Sequence, residues 1–211
     1  MRNLLLVILL FFAGFFAINA QKKEMSWGVK GGVTITDLVN SDIYGGETKV
    51  GWTAGLVYEI HLTDRFSIQP EVLYSRQGAK SNYTTPYGGD ENVMNEIYTN
   101  ITLHYINIPV YAKYYIVDGF NVFLGPQFAI LADNEIETKE TIPLIPNPQV
   151  IRERDKLNRS KSFGIDGSVG LGYHFDFDVF VQAVYSYGFY KIVAEDDMKN
   201  SVLQFSVGYK F

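Results

Sequence analysis

The sequence predicts an all-β fold: an eight-stranded antiparallel up-and-down transmembrane β-barrel. Three observations predict it. Apolar residues recur at every second position, the period of a strand and not of a helix. The connections between these segments alternate between short and long, as in barrels with short periplasmic turns and longer extracellular loops. After the first twenty residues no apolar run is long enough for a membrane-spanning helix.

The chain opens with an address. Met1-Arg2-Asn3 is a short basic segment, Leu4 to Ala17 is apolar, and Ala20 offers a small residue for cleavage before Gln21. This is the layout of a secretory signal peptide. Residues 1–20 are therefore expected to be removed, leaving an outer-membrane β-barrel domain over 21–211.

The strands follow in order. Trp27, Val29, Val33 and Ile35 alternate with Gly28, Lys30, Gly32 and Thr34. Val50, Trp52, Ala54, Leu56, Tyr58 and Ile60 alternate with Gly51, Thr53, Gly55, Val57 and Glu59. The same alternation runs through 66–75, 106–116, 121–130, 163–175, 179–188 and 202–211. Pro70, Pro109 and Pro126 fall inside these segments, where proline removes a ladder hydrogen bond or marks a bulge. Residues 63–65, 117–120 and 176–178 read as tight turns, and 37–49, 76–100, 133–161 and 191–200 as long loops.

The face assignment decides between a soluble and a membrane barrel. The apolar sets hold large Phe, Tyr, Trp, Ile, Leu and Val side chains, and the opposite sets hold glycine, small and charged residues. An eight-stranded bore just holds side chains, so only the second set fits inside. The apolar set must then face lipid, and closure pairs every edge group, as hydrocarbon requires. Tyr and Trp near the strand ends fit interfacial girdles.

Composition narrows the function. Aromatic residues are 15% and charged residues 19%, which excludes a disordered chain. The net charge of −5 argues against a nucleic-acid partner. Cys is 0, so disulfides, thiolate metal sites and a Cys nucleophile are impossible.

The chain ends LQFSVGYKF, with Phe205, Val207, Tyr209 and Phe211 on one face, the pattern of a C-terminal assembly signal read by the barrel-assembly machinery. The segments WGVKGGVTITDL, VGWTAGLVYEIHLTDRFSIQPEVLYSRQGAK, HYINIPVYAKYY, VFLGPQFAILAD, FGIDGSVGLGYHF and QFSVGYKF resemble the PorT-like outer-membrane β-barrel family of Bacteroidetes over nearly the whole mature chain. The resemblance implies an eight-stranded barrel in the outer membrane. The family's namesake contributes to protein secretion, so secretion-system proteins join outer-membrane lipid as expected partners.

The residues with chemistry lie on the inner face. Lys30, Glu59, Glu71, Lys113, Asp166 and Lys210 are expected to form a lumen charge network, with Lys113 between Glu59 and Glu71. The alternative for these residues is a proton or ion path, or a catalytic carboxylate pair. Buried ions in so narrow a bore must pair, which favours a plugging network. His61 and His174 fall near the short turns, and His104 near the outer leaflet without a serine at fixed spacing; Ser75 and Ser81 are loosely placed. No catalytic, cofactor or metal site is expected. Glu195-Asp196-Asp197 lacks calcium-loop spacing, and Gly31-Gly32 and Gly88-Gly89 lack the lysine of a phosphate loop. In 133–161, six acidic and six basic residues flank IPLIPNPQV, a mobile loop or a partner-docking segment. The expected function is a non-enzymatic barrel with a side-chain-filled lumen, acting through loops or turns as a structural, adhesion or assembly component. The alternative is a transport component, either a secretion accessory or a small pore.

Overall fold

Alternating β-branched and aromatic side chains put nearly every described residue into strands. The structure, a computed structural model, describes residues 25–39, 46–87, 90–143, 147–156, 162–190 and 199–211. The expected signal peptide, the Gly88-Gly89 pair and the acidic run at 195–197 lie outside them. The strands are β1 Met25–Val39, β2 Gly46–His61, β3 Phe66–Tyr87, β4 Asp90–Tyr115, β5 Phe120–Ile142, β6 Gln149–Asp155, β7 Phe163–His174, β8 Val179–Gly188 and β9 Lys199–Lys210. Among the described residues no helix is long and apolar enough to cross a membrane.

All pairings are antiparallel. β1 pairs with β2 and with β9, β4 pairs with β5, and β5 pairs with β7, so eight strands form a closed ring. The seam joins the two ends of the domain: Phe211 N–H donates to Trp27 O at 2.7 Å, and Trp27 N–H donates to Phe211 O at 3.3 Å.

The ring has the eight strands expected, but the described residues form nine. β6 lies in the segment whose pattern predicts a loop, 133–161, and among the described residues pairs only with Ile136–Ile142 of β5. Within 76–100, where the pattern also predicts a loop, residues 76–87 and 90–100 extend β3 and β4 into a tall hairpin, paired from Arg76 opposite His104 to Pro86 opposite Met94. These extensions carry Thr, Tyr and Ile, good strand formers. Their alternation of apolar and polar residues fades because neither face there needs an apolar set. β4 has 26 residues, about 85 Å at roughly 3.3 Å per residue, where a crossing needs about 9–11 residues. The wall therefore stands far above the barrel on the β3–β6 side.

The mid-strand prolines do not break register. On either side of Pro70, Val57 stays opposite Glu71 and Ile60 opposite Ile68. The irregularities lie instead at Thr48/Trp52, Pro86/Tyr87 and His104/Tyr105. At the opposite end the turns are tight. Thr63 Oγ1 accepts from the Phe66 amide at 3.0 Å, and Gly119 takes a φ of 79°, which glycine adopts without steric cost.

The two faces separate cleanly. Trp27, Val33, Trp52, Leu56, Val72, Leu124, Val169, Leu171 and Val207 are exposed on the outside. Lys30, Thr53, Glu59, Ser67, Gln69, Glu71, Asn107, Lys113, Asp166, Gln182 and Lys210 are buried within. The barrel is inside out relative to a soluble one.

Candidate functional site: the lumen

The lumen is filled in layers. At the short-turn end lies a charge network. Glu59, on β2, is its hub. Lys113 Nζ lies 3.2 Å from Glu59 Oε2, and Lys210 Nζ, from the last strand, pairs with the same oxygen. On Glu59 Oε1, Tyr115 Oη donates at 2.8 Å and Ser67 Oγ donates as well. Lys113 Nζ also donates to Gln69 Oε1 at 2.8 Å, and Gln69 Nε2 donates to Glu71 Oε1 at 2.6 Å. Glu71 Oε2 lies 2.6 Å from Lys30 Nζ, which donates to Gln182 Oε1 at 3.1 Å. One connected chain thus runs from β9 through β2, β4 and β3 to β1 and β8.

Alternation produces this convergence. Each of these residues holds an inward parity, and antiparallel register puts inward residues of neighbouring strands side by side. Five of the six charges singled out from the sequence come together. Asp166 does not: it stands apart, with Gln127 Nε2 donating to its Oδ2 at 2.7 Å. Lys113 does not bridge the two glutamates directly either. It binds Glu59 and reaches Glu71 only through Gln69, and each glutamate has a second lysine, Lys210 and Lys30. The uncharged linkers Gln69 and Gln182 escaped the sequence reading, although their parity marks them as inward.

So did Lys49. The pattern predicts that it ends a loop, but β2 begins at Gly46 and Lys49 is buried. Its Nζ donates to Asn100 Oδ1 at 2.7 Å, Ile101 O at 2.8 Å and Thr102 Oγ1 at 2.6 Å. Counting back by twos from Thr53 and Gly51 would have placed it inside.

Above the charges, the Tyr111 and Phe123 rings meet at 4.8 Å and pack with Val184. Higher still, Ala79, Ile101, Leu103, Tyr105 and Ala129 form an apolar cluster with Tyr190 against it. Glycine makes room for these rings. A Cβ at Gly164 would lie 1.9 Å from the Tyr190 ring, one at Gly170 2.5 Å from Phe123, and one at Gly208 2.2 Å from Phe180. Space on the inner face is thus taken by aromatic side chains.

The histidines divide. His61 and His174 line a polar mouth of about 280 Å³ at the short-turn end, with Tyr115, Asp64, Asp176 and Asp178. His104 is on the outer face, hydrogen-bonded to Tyr74 Oη at 2.6 Å. Ser75 and Ser81 are buried on the inner face, on the other side of the wall from His104. Among the described residues no group of three or more His, Asp or Glu side chains is placed to hold a metal ion. Phe205, Val207, Tyr209 and Phe211 are all exposed on the outer face of the closing strand.

The family model described as "Outer membrane protein beta-barrel domain" matches residues 19–194. No curated protein matches. Among solved structures, Neisserial surface protein A is similar at 15% identity and a TM-score of 0.49, covering 89% of this chain and 99% of that one. Ail, the attachment invasion locus protein of Yersinia pestis, is similar at 12% identity and a TM-score of 0.46, with the same coverage. The N-terminal β-barrel domain of Pseudomonas aeruginosa OprF is similar at 11% identity and a TM-score of 0.37, covering 87% of this chain and 97% of that one.

Proposed function

The chain belongs to the outer membrane protein β-barrel domain family, and from that premise we propose that it is a non-enzymatic integral barrel of the outer membrane with a closed lumen, working through the parts that leave the membrane. The observation that carries this reading is the lumen itself. Lys30, Glu59, Glu71, Lys113 and Lys210 bond to one another across the bore, with Tyr111, Phe123 and the Tyr190 cluster stacked above them. Every lysine of this set sits on a glutamate, and all five side chains are buried. Removing one partner would leave a buried unpaired ion, which is strongly unfavourable.

The surfaces left for function are the tall β3–β4 and β5–β6 hairpins and the polar mouth at the short turns. They suit a structural, adhesion or assembly component. Export through a signal peptide over residues 1–20, a mature domain over 21–211 and insertion by the barrel-assembly machinery through Phe205, Val207, Tyr209 and Phe211 belong to the same proposal. Membership of the PorT-like group rests on the sequence segments quoted above, and it favours secretion-system proteins as partners.

Proteoliposomes containing the folded full chain test the reading. Uptake of a small neutral sugar at the rate of empty liposomes supports it. Uptake at a porin's rate contradicts it and favours the transport alternative.

A further inference from the structure

β6 ends the sheet. It pairs with β5 on one side, has no strand on its other side among the described residues, and all seven of its residues are exposed. A free edge presents unpaired N–H and C=O groups to any extended chain.

The charges along β6 are sorted by face. Side chains alternate, so Arg152, Arg154 and then Lys156 share one face, and Glu153 and Asp155 share the other. β5 neutralises part of the cationic face. Lys156 Nζ lies 2.9 Å from Asp133 Oδ1, and Arg154 lies 3.3 Å from Glu137 and 3.7 Å from Glu135. On the acidic face Asp155 Oδ1 accepts from the Lys156 amide at 2.7 Å, and no cation of β5 stands opposite either acid. Arg152 is opposite Lys139, a like charge, while Glu153 is opposite Thr138 and Asp155 opposite Ile136. Like charges directly opposite destabilise a pair.

This sorting bears on who can add a strand. Residues opposite one another in a sheet point to the same face. A second copy pairing antiparallel about a twofold axis would set the cationic face of β6 beside itself, and the acidic face likewise. A strand with acids on one face and bases on the other fits: its acids meet Arg152, and its bases meet Glu153 and Asp155.

We propose that the free edge of β6 is a docking site for an extended segment of another protein, about seven residues long, in which acidic and basic residues alternate. This deepens the reading of the hairpins as the acting surface and rests on it. Main-chain hydrogen bonds would supply the attachment and the alternating charges the selectivity.

The test uses the folded full chain in detergent micelles, its folding shown by a heat-shifted gel band. Two nine-residue labelled peptides of equal composition are compared, one with Glu and Lys strictly alternating and one with them in blocks of two. Three matched charge pairs at about 0.5 kcal/mol each give the alternating peptide roughly tenfold tighter binding, and its binding slows amide exchange across residues 150–155. Glu153→Lys with Asp155→Lys removes the preference and leaves the gel shift intact. Equal binding of both peptides, or of neither, by folded protein overturns the proposal and leaves the charges as a device that keeps the edge unpaired. A two-copy complex with exchange slowed at 150–155 in the absence of peptide overturns it in favour of self-pairing. Impermeable proteoliposomes with failed peptide binding refute this inference alone; porin-rate uptake refutes the reading beneath it.

Discussion

Lys30 Nζ lies 2.6 Å from Glu71 Oε2, a contact between strands β1 and β3 that passes over the inner face of β2. Both side chains are wholly buried. Deleting one strands the other in the bore, which costs about 3–5 kcal/mol. Lys30→Met and Glu71→Gln should each lower the temperature at which the heat-modifiable gel band is lost, and the double variant should recover much of the loss. Lys113→Ala should cost less than Lys30→Met, because Glu59 keeps Lys210. Additive losses in the double variant would count against the pair.

Leu56 faces outward mid-strand and is 54% exposed. Leu56→Arg puts a charge into hydrocarbon at about 2–4 kcal/mol near the midplane. Thr84→Arg, on the exposed upper part of β3, should assemble normally. Thr53 is an unsuitable control on the inner face, since it is buried and its hydroxyl donates to Tyr74 O at 3.1 Å. Yields of folded protein in lipid vesicles measure the difference, and equal yields would mean that Leu56 does not face lipid.

Gly164 and Tyr190 should behave as one unit. A methyl at Gly164 collides with the Tyr190 ring, so Gly164→Ala alone should destabilise by roughly 1–3 kcal/mol, the range for overpacking. In a Tyr190→Ala background the same change should cost little. A denaturant cycle in micelles reads the coupling, and a coupling near zero would place the ring elsewhere.

Outside the membrane, a hydrogen bond from Lys156 holds the Asp133 carboxyl below its usual range, and the same bond raises Lys156. A depressed carboxylate contributes above its unfolded pKa and stops contributing as pH falls through the folded one. The Asp133–Lys156 link should therefore persist at neutral pH and open only in acid, below the ordinary carboxylate range. Carbon-detected NMR of Asp133 should show a low midpoint that moves up in Lys156→Ala. An unmoved midpoint would mean that the two groups do not meet.

The wall was legible wherever one face had to be apolar. From Trp27 to Ile35, or from Val50 to Ile60, lipid on one side and a narrow bore on the other enforce alternation, and Lys30 and Glu59 fall inside by parity alone. Above the membrane that pressure ends, so 76–100 and the strand at 149–155 read as loops. The same boundary hid Lys49. Partner choice within the bore was less legible, because it depends on side-chain reach: Asp166 shares the inward parity of Glu71, yet among the described residues it meets Gln127 and no lysine.

Both the lipid-facing wall and the filled lumen depend on the closed ring. Its seam sets Thr34 of β1 opposite Gln204 of β9. The chain has 0 Cys, so an introduced pair has no competitor. Thr34→Cys with Gln204→Cys, oxidised in the folded state in lipid, is predicted to form an intramolecular disulfide: Trp27 and Phe211 exchange both backbone hydrogen bonds, so Thr34 and Gln204, of the other parity, form a non-hydrogen-bonded pair, whose Cβ atoms lie at the close end of the cross-strand range, about 4.5 Å, within reach of a bridge. Protein that passes the heat-shift test yet gives only free thiols or intermolecular dimers would contradict the ring.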